Sequence, residues 1–153
     1  MDPTKSSLYT AKRSSGISIN QDVRDSWGRI RSESCPSNFV LVKYDTPNSV
    51  RCAEEGTGGI HELISKLVDD DIYFGAFSVD INGAKKFFTL YFVGGGVNGM
   101  KKGKASLHKA AVLNVFEGTH GDVTCNNGLA EATVDYFKKN ILQIMRLTDS
   151  DIL

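Results

Sequence analysis

The fold is decided by residues 72–93, IYFGAFSVDINGAKKFFTLYFV. Ile72–Val79 and Phe87–Val93 are apolar runs rich in aromatic and β-branched residues, the composition of buried strands. Asp80-Ile81-Asn82-Gly83 between them supplies the Asn-Gly chemistry of a tight turn with positive φ. The stretch therefore predicts a β-hairpin at the centre of the chain. Because its strands are apolar on both faces, both faces of the sheet require cover.

Upstream, a helix is expected to begin near Ser18 or Asn20, with Ile19, Val23, Trp27 and Ile30 on one face and Pro36 as its stop. Phe39–Tyr44 reads as a strand, Thr46-Pro47-Asn48 as a turn, and residues 49–53 as a short partner strand. A second helix is expected over Ile60–Val68. Downstream come a glycine-rich loop at 94–103 and a third helix from about Ser106 to Phe116, with Leu107, Ala110, Ala111 and Val115 facing the core. Asp122–Cys125 reads as a short strand and Leu129–Leu147 as a last helix. Helices fall between pairs of strands. The expected class is α/β of the α+β type, one domain with a mixed sheet between helices. Residues 1–17 read as a flexible arm, 18–148 as the domain and 149–153 as a short tail. In the arm, Ser14 and Ser15 follow Lys12-Arg13, a basophilic kinase pattern that Ser-rich tails contain by chance.

The chain has 153 residues, 41% hydrophobic and 24% charged, enough for one domain with a proper core and too apolar for a disordered chain. No apolar run approaches the roughly 18 residues of a membrane span, and the N-terminus lacks the apolar stretch of a secretory signal. Cys35, Cys52 and Cys125 are too scattered for a disulfide framework or a CxxC metal site. A reduced, cytosolic, monomeric protein is expected, with no cofactor, no nucleic acid and no membrane as partner. Net charge is zero, yet it is segregated along the chain. Residues 81–116 hold Lys85, Lys86, Lys101, Lys102, Lys104 and Lys109 without an acid, whereas 54–80 hold seven acids against Lys66. Such a basic stretch suits an acidic partner.

Enzyme motifs fail on inspection. Gly94-Gly95-Gly96-Val97-Asn98-Gly99 matches G-x-G-x-x-G after a strand, with Glu117 at the distance of a ribose-binding acid. A dinucleotide site needs the helix to start at the glycines, and this helix is expected only near Ser106. Gly103-Lys104-Ala105-Ser106 lacks the earlier glycine of a P-loop, and Ala105 stands where a hydroxyl must reach magnesium. His61, His108 and His120 have no zinc spacing and are expected at the surface or in caps, and the cysteines half-buried. Asp69-Asp70-Asp71 reads as the solvated end of a helix. Phe87, Phe88, Tyr91 and Phe92 belong to a core strand and not to a stacking platform, so an acidic protein is a better partner than a nucleic acid.

Several segments in succession resemble an actin-depolymerising-factor homology domain. They are Asn38–Asp45 after the first helix, Asp69–Asp71 before Ile72–Phe77, Lys86-Phe87 leading the next strand, and Val97-Asn98-Gly99-Met100-Lys101 before the third helix. Within that superfamily the chain is most similar to the coactosins, over about residues 18–147. The resemblance implies a mixed five- or six-stranded sheet between two pairs of helices. It also implies binding to the sides of actin filaments without catalysis, with monomeric actin bound weakly or not at all. The filament-binding lysine of the family falls on Lys86, beside Lys85. The basic residues that the superfamily presents before its long helix fall on Lys102 and Lys104, with Lys101 nearby. Where cofilins have a methionine after the second of these lysines, this chain has Ala105, a departure that counts against monomer binding. The serine that cofilins phosphorylate near the N-terminus has no equivalent in the arm. Two other readings stay open: a cofilin-like remodeller that binds monomer and severs filaments, and a nucleotide-binding enzyme using 94–99.

Overall fold

A computed structural model describes residues 16–148; the arm residues 1–15, with their kinase pattern, and the tail 149–153 lie outside the described residues. The described chain forms a single α+β domain. Its elements are β1 (Ser18–Ile19), α1 (Gln21–Arg31), β2 (Phe39–Thr46), β3 (Ser49–Gly56), α2 (Gly59–Ser65), β4 (Ile72–Ile81), β5 (Ala84–Val93), α3 (Gly99–Leu113), β6 (Asp122–Cys125), a 3-10 turn (Gly128–Glu131) and α4 (Val134–Met145). One mixed sheet of six strands runs in the order β1-β3-β2-β4-β5-β6. The inner pairs are antiparallel, while β1 on β3 and β6 on β5 are parallel.

The hairpin forms as its sequence dictates. Ten residue pairs from Ile72↔Val93 to Ile81↔Ala84 leave a two-residue turn, with Asn82 at φ 52° and Gly83 at φ 81°. Positive φ at both positions matches the right-handed twist of the strands. Alternation along β2, β4 and β5 then divides the core in two. Val40, Val42, Phe74, Ala76, Tyr91 and Val93 face α1 and α3. Phe39, Leu41, Phe77, Phe88, Leu90 and Phe92 face α2 and α4. Phe88, Tyr91 and Phe92 are buried and Phe87 is half-buried, so these aromatics are core residues as expected.

Several boundaries differ from expectation, each for a local reason. Ile19 belongs to β1, in register with Val50, and Asn20 caps α1 by accepting the Asp22 amide at 3.1 Å. The helix ends at Arg31, well before Pro36, because Ser32 turns extended at ψ 135°. β3 reaches Gly56, eight residues long, by a bulge between Cys52 and Glu54 that lets the ladder continue. α2 closes at Ser65, so Asp69–Asp71 lie in the turn before β4 and not on a helix. The last expected helix is a 3-10 turn followed by α4, which Thr133 caps by accepting the Tyr136 amide at 3.1 Å.

The largest correction concerns α3. It starts at Gly99, with the Asn98 side chain accepting the Lys101 amide at 2.9 Å. Two glycines and three lysines make residues 99–104 look like loop, but the cap and the buried neighbours Val97 and Ala105 recruit them into the helix. The longer helix presents another face to the sheet: Ala105, His108, Val112 and Leu113 are buried. Ala111 and Val115 pack against this core as partly buried residues, whereas Ala110 is exposed and Leu107 is 77% exposed. The Ser106 start and the inward Leu107–Ala110 face are therefore wrong.

Candidate interaction surface

The exposed face of α3 is built by helical spacing. Met100, Lys104, Leu107 and Ala110 step by four, three and three, which puts them on one side, opposite Ala105, His108 and Val112. Met100 is 86% exposed, so with Leu107 it makes an apolar pair flanked by cationic groups on a helix that is otherwise anchored. Sequence reading missed this pair because it assigned Leu107 to the core and the segment holding Met100 to a loop. The spacing of Met100 from Leu107 was the available signal.

The anchor beneath is polar as well as apolar. Tyr44 of β2 and Nδ1 of His108 share a hydrogen bond of 2.8 Å. His108 is buried, contrary to the expectation that the histidines sit at the surface or in caps; His61 and His120 are exposed. Burial first, and then the Lys104 ammonium, lower the His108 pKa and favour its neutral ring. Lys109, one residue on, places its ammonium 4.9 Å from the centre of the Tyr91 ring.

The five lysines singled out in the sequence do not form one patch. Lys101 and Lys104 are exposed and Lys102 is half-buried at the start of α3. Lys85 and Lys86, both half-buried, lie at the hairpin end of β5. Seven residue steps along β5 lead from Lys86 to Val93, about 23 Å at roughly 3.3 Å per residue. By strand alternation Lys86 lies with Phe88 on the α2/α4 side, whereas Lys85 lies with Phe87 on the α1/α3 side. The Lys86 end is joined by the last turn of α4, where Ile144 packs on Gly121, whose carbonyl accepts the Thr89 amide at 3.0 Å.

Charge segregation along the chain is partly undone in space. Asp80 is the register partner of Lys85 across the hairpin. Asp70 and Asp71 line the same cleft of about 290 Å³ as Lys101 and Lys104, with Tyr44 and Pro47 from the β2–β3 side. Asp71 is itself paired with Lys43 at 2.7 Å. None of the five candidate lysines closes an ion pair among the described residues. Their ammonium groups remain available to an external acid.

The glycine loop is occupied by the protein's own acceptors. The Gly94 amide donates to the Asp71 carbonyl at 2.9 Å, the Gly96 amide to the Asp69 carbonyl at 2.8 Å, and the Gly95 amide to Asp69 Oδ1 at 2.8 Å. The helix does start beside the glycines, so that part of the case against a dinucleotide site fails. A phosphate there would nevertheless meet a carboxylate, and three loop amides are already bound. Among the described residues no group of three or more His, Cys, Asp or Glu is placed to hold a metal, and no helix is long and apolar enough to cross a membrane.

The thiols follow their surroundings. Burial pushes the buried Cys125 up to about 12 and raises the half-buried Cys52, whereas hydrogen bonds from Ser37 lower the half-buried Cys35.

Residues 16–142 match the family described as cofilin/tropomyosin-type actin-binding protein. A drebrin-like protein of Mus musculus is 29% identical over 116 residues, covering 74% of this chain and 26% of its own length. The chain thus spans about a quarter of the length of the curated relatives it matches. In fold it is similar to human coactosin-like protein, with a TM-score of 0.74 at 20% identity over 83% of this chain and 98% of that one. Coactosin from Entamoeba histolytica gives a TM-score of 0.74 at 21% identity, over 86% and 99% of the two chains.

Proposed function

Since the chain belongs to the cofilin/tropomyosin-type actin-binding protein family, we propose that it is a non-catalytic, monomeric protein of the cytoplasmic actin cytoskeleton that binds the sides of actin filaments. The observation that carries this reading is the exposed α3 face, where Met100 and Leu107 stand beside Lys104, with the exposed Lys101 at the adjoining cleft. Apolar residues ringed by charge make an anchor whose rim steers an acidic partner. Lys86 supplies a second contact at the other end of β5. Two surfaces about 23 Å apart along the strand can engage two neighbouring subunits, which a filament offers and a monomer does not. Divided contacts gain from effective concentration, so the filament is favoured.

A second reading has its own observation. Ala105, whose identity counts against monomer binding by resemblance, is fully buried and belongs to the core. The exposed Met100 and Leu107 provide apolar contact without it, and α3 alone can hold a single subunit. That favours the cofilin-like remodeller as the alternative. Co-sedimentation combined with filament-length imaging and a monomer-binding titration separates the two. A side-binder pellets with filaments of unchanged length and binds monomer weakly; shortened filaments with tight monomer binding would establish the remodeller.

A further inference from the structure

We propose that Asp69 is a positioning residue for the contact end of α3, an inference that rests on the reading of that end as an actin-binding surface. Asp69 lies in the turn between α2 and β4 and holds two distant segments at once. Its Oδ1 accepts the Gly95 amide at 2.8 Å and the Leu129 amide at 3.0 Å. Its carbonyl accepts the Gly96 amide, and the Asp71 carbonyl accepts that of Gly94. Three successive amides of the loop before α3 are therefore fixed to residues 69–71, and the same carboxylate ties the loop to the turn that precedes α4.

The approach is close enough to dictate sequence. A Cβ at Gly94 would overlap the Asp69 carbonyl, and one at Gly128, where φ is +64°, would overlap Oδ1. Both positions need glycine. The two amides, Gly95 first and then Leu129, hold the Asp69 carboxyl below its usual range, so it stays an acceptor.

Only Val97 and Asn98 lie between this clamp and the helix. Val97 is buried and its amide donates to the Gly94 carbonyl at 3.1 Å, while Asn98 caps the first turn. A shift of the loop therefore reaches Met100, Lys101 and Lys104 with little slack. Asp69 is exposed and lies outside the strands, so its loss loosens this turn without opening the sheet.

The test uses the full chain in co-sedimentation with filaments and in amide exchange. Asp69→Ala is expected to weaken filament binding about five- to tenfold, whereas Asp69→Asn, which keeps the accepting oxygen, stays within about twofold. In double-mutant cycles Asp69→Ala combines less than additively with Lys104→Ala and additively with Lys86→Ala. Exchange in Asp69→Ala quickens over residues 95–104 and is unchanged in β4. Should Asp69→Ala not fold, Asp69→Ser, too short to reach both amides, carries the same comparison. Unaltered exchange in the variant would overturn the clamp, as would equal loss in the Asn and Ala variants or equal coupling to both lysines. A parent chain that does not pellet would overturn the contact reading instead, and the purpose of the clamp with it.

Discussion

Lys86 and Lys104 stand on opposite sides of the sheet and at opposite ends of β5, one beside Phe88 on the α2/α4 side and the other on the helix that covers the α1/α3 side. They cannot belong to one contact patch, and their substitutions should therefore act independently. Lys86→Ala and Lys104→Ala are each expected to weaken filament binding about two- to fivefold, as partly solvated cations do, with additive free energies in the double variant. Monomer binding should fall with Lys104→Ala alone. Co-sedimentation and a monomer titration measure both; a coupling energy above about 0.5 kcal/mol would place the lysines in one patch.

Leu107→Asp is expected to leave stability within about 0.5 kcal/mol, because the side chain is 77% exposed and belongs to neither core cluster. Filament affinity should fall tenfold or more, since burying a leucine against a partner contributes about 1.5–3 kcal/mol and a carboxylate there repels an acidic surface. Thermal melting and pelleting of the same preparation check the pair of outcomes.

Much of this fold is legible in the sequence, and the reasons are local. The Asn82-Gly83 turn and the aromatic strands around it specify the hairpin, and the two-sided apolar pattern specifies helices on both faces. What was illegible depended on tertiary packing. The first turn of α3 has weak intrinsic propensity and is stabilised by Asn98 and by Val97 beneath it. Once that start is missed, the inward face is misassigned and Leu107 is hidden in a core that it does not join. The basic stretch is visible in the sequence, but the division of its lysines between two ends of a strand is not. Nor could sequence show that Asp70 and Asp71 come back to face Lys101 and Lys104 across one cleft.

Glu55 offers a test of the α1–β3 side, away from the proposed contact surface. Its carboxylate accepts from Arg29 Nε at 2.8 Å and Nη2 at 2.7 Å, and from the hydroxyls of Ser26 and Ser37. Led by Arg29, these donors hold Glu55 down to about 2. A depressed carboxylate contributes stability above its ordinary pKa and loses it as pH falls towards the folded value. Glu55→Gln is therefore expected to cost about 1–2 kcal/mol at neutral pH, and its melting temperature should converge with that of the parent between pH 4.5 and about 2. Filament binding should be unaffected.

His108 works in the opposite limb of the pH scale for a basic group. Burial and Lys104 lower its pKa in the folded state, so the unfolded chain takes up the proton first. Stability from the neutral ring is complete above its ordinary value of 6.5 and is lost as pH falls below it. The parent should lose melting temperature between pH 7 and pH 5 faster than His108→Phe does. Parallel melting curves for the two would remove His108 as the cause.

That this chain grips actin filaments through lysines at both ends of β5 and an apolar helix face is checked by co-sedimentation of the full chain with filaments across a salt series. Saturable pelleting is expected, weakening steadily as salt screens the lysines and falling further with Leu107→Asp. No pelleting above the actin-free control, or pelleting indifferent to both salt and Leu107, would contradict it.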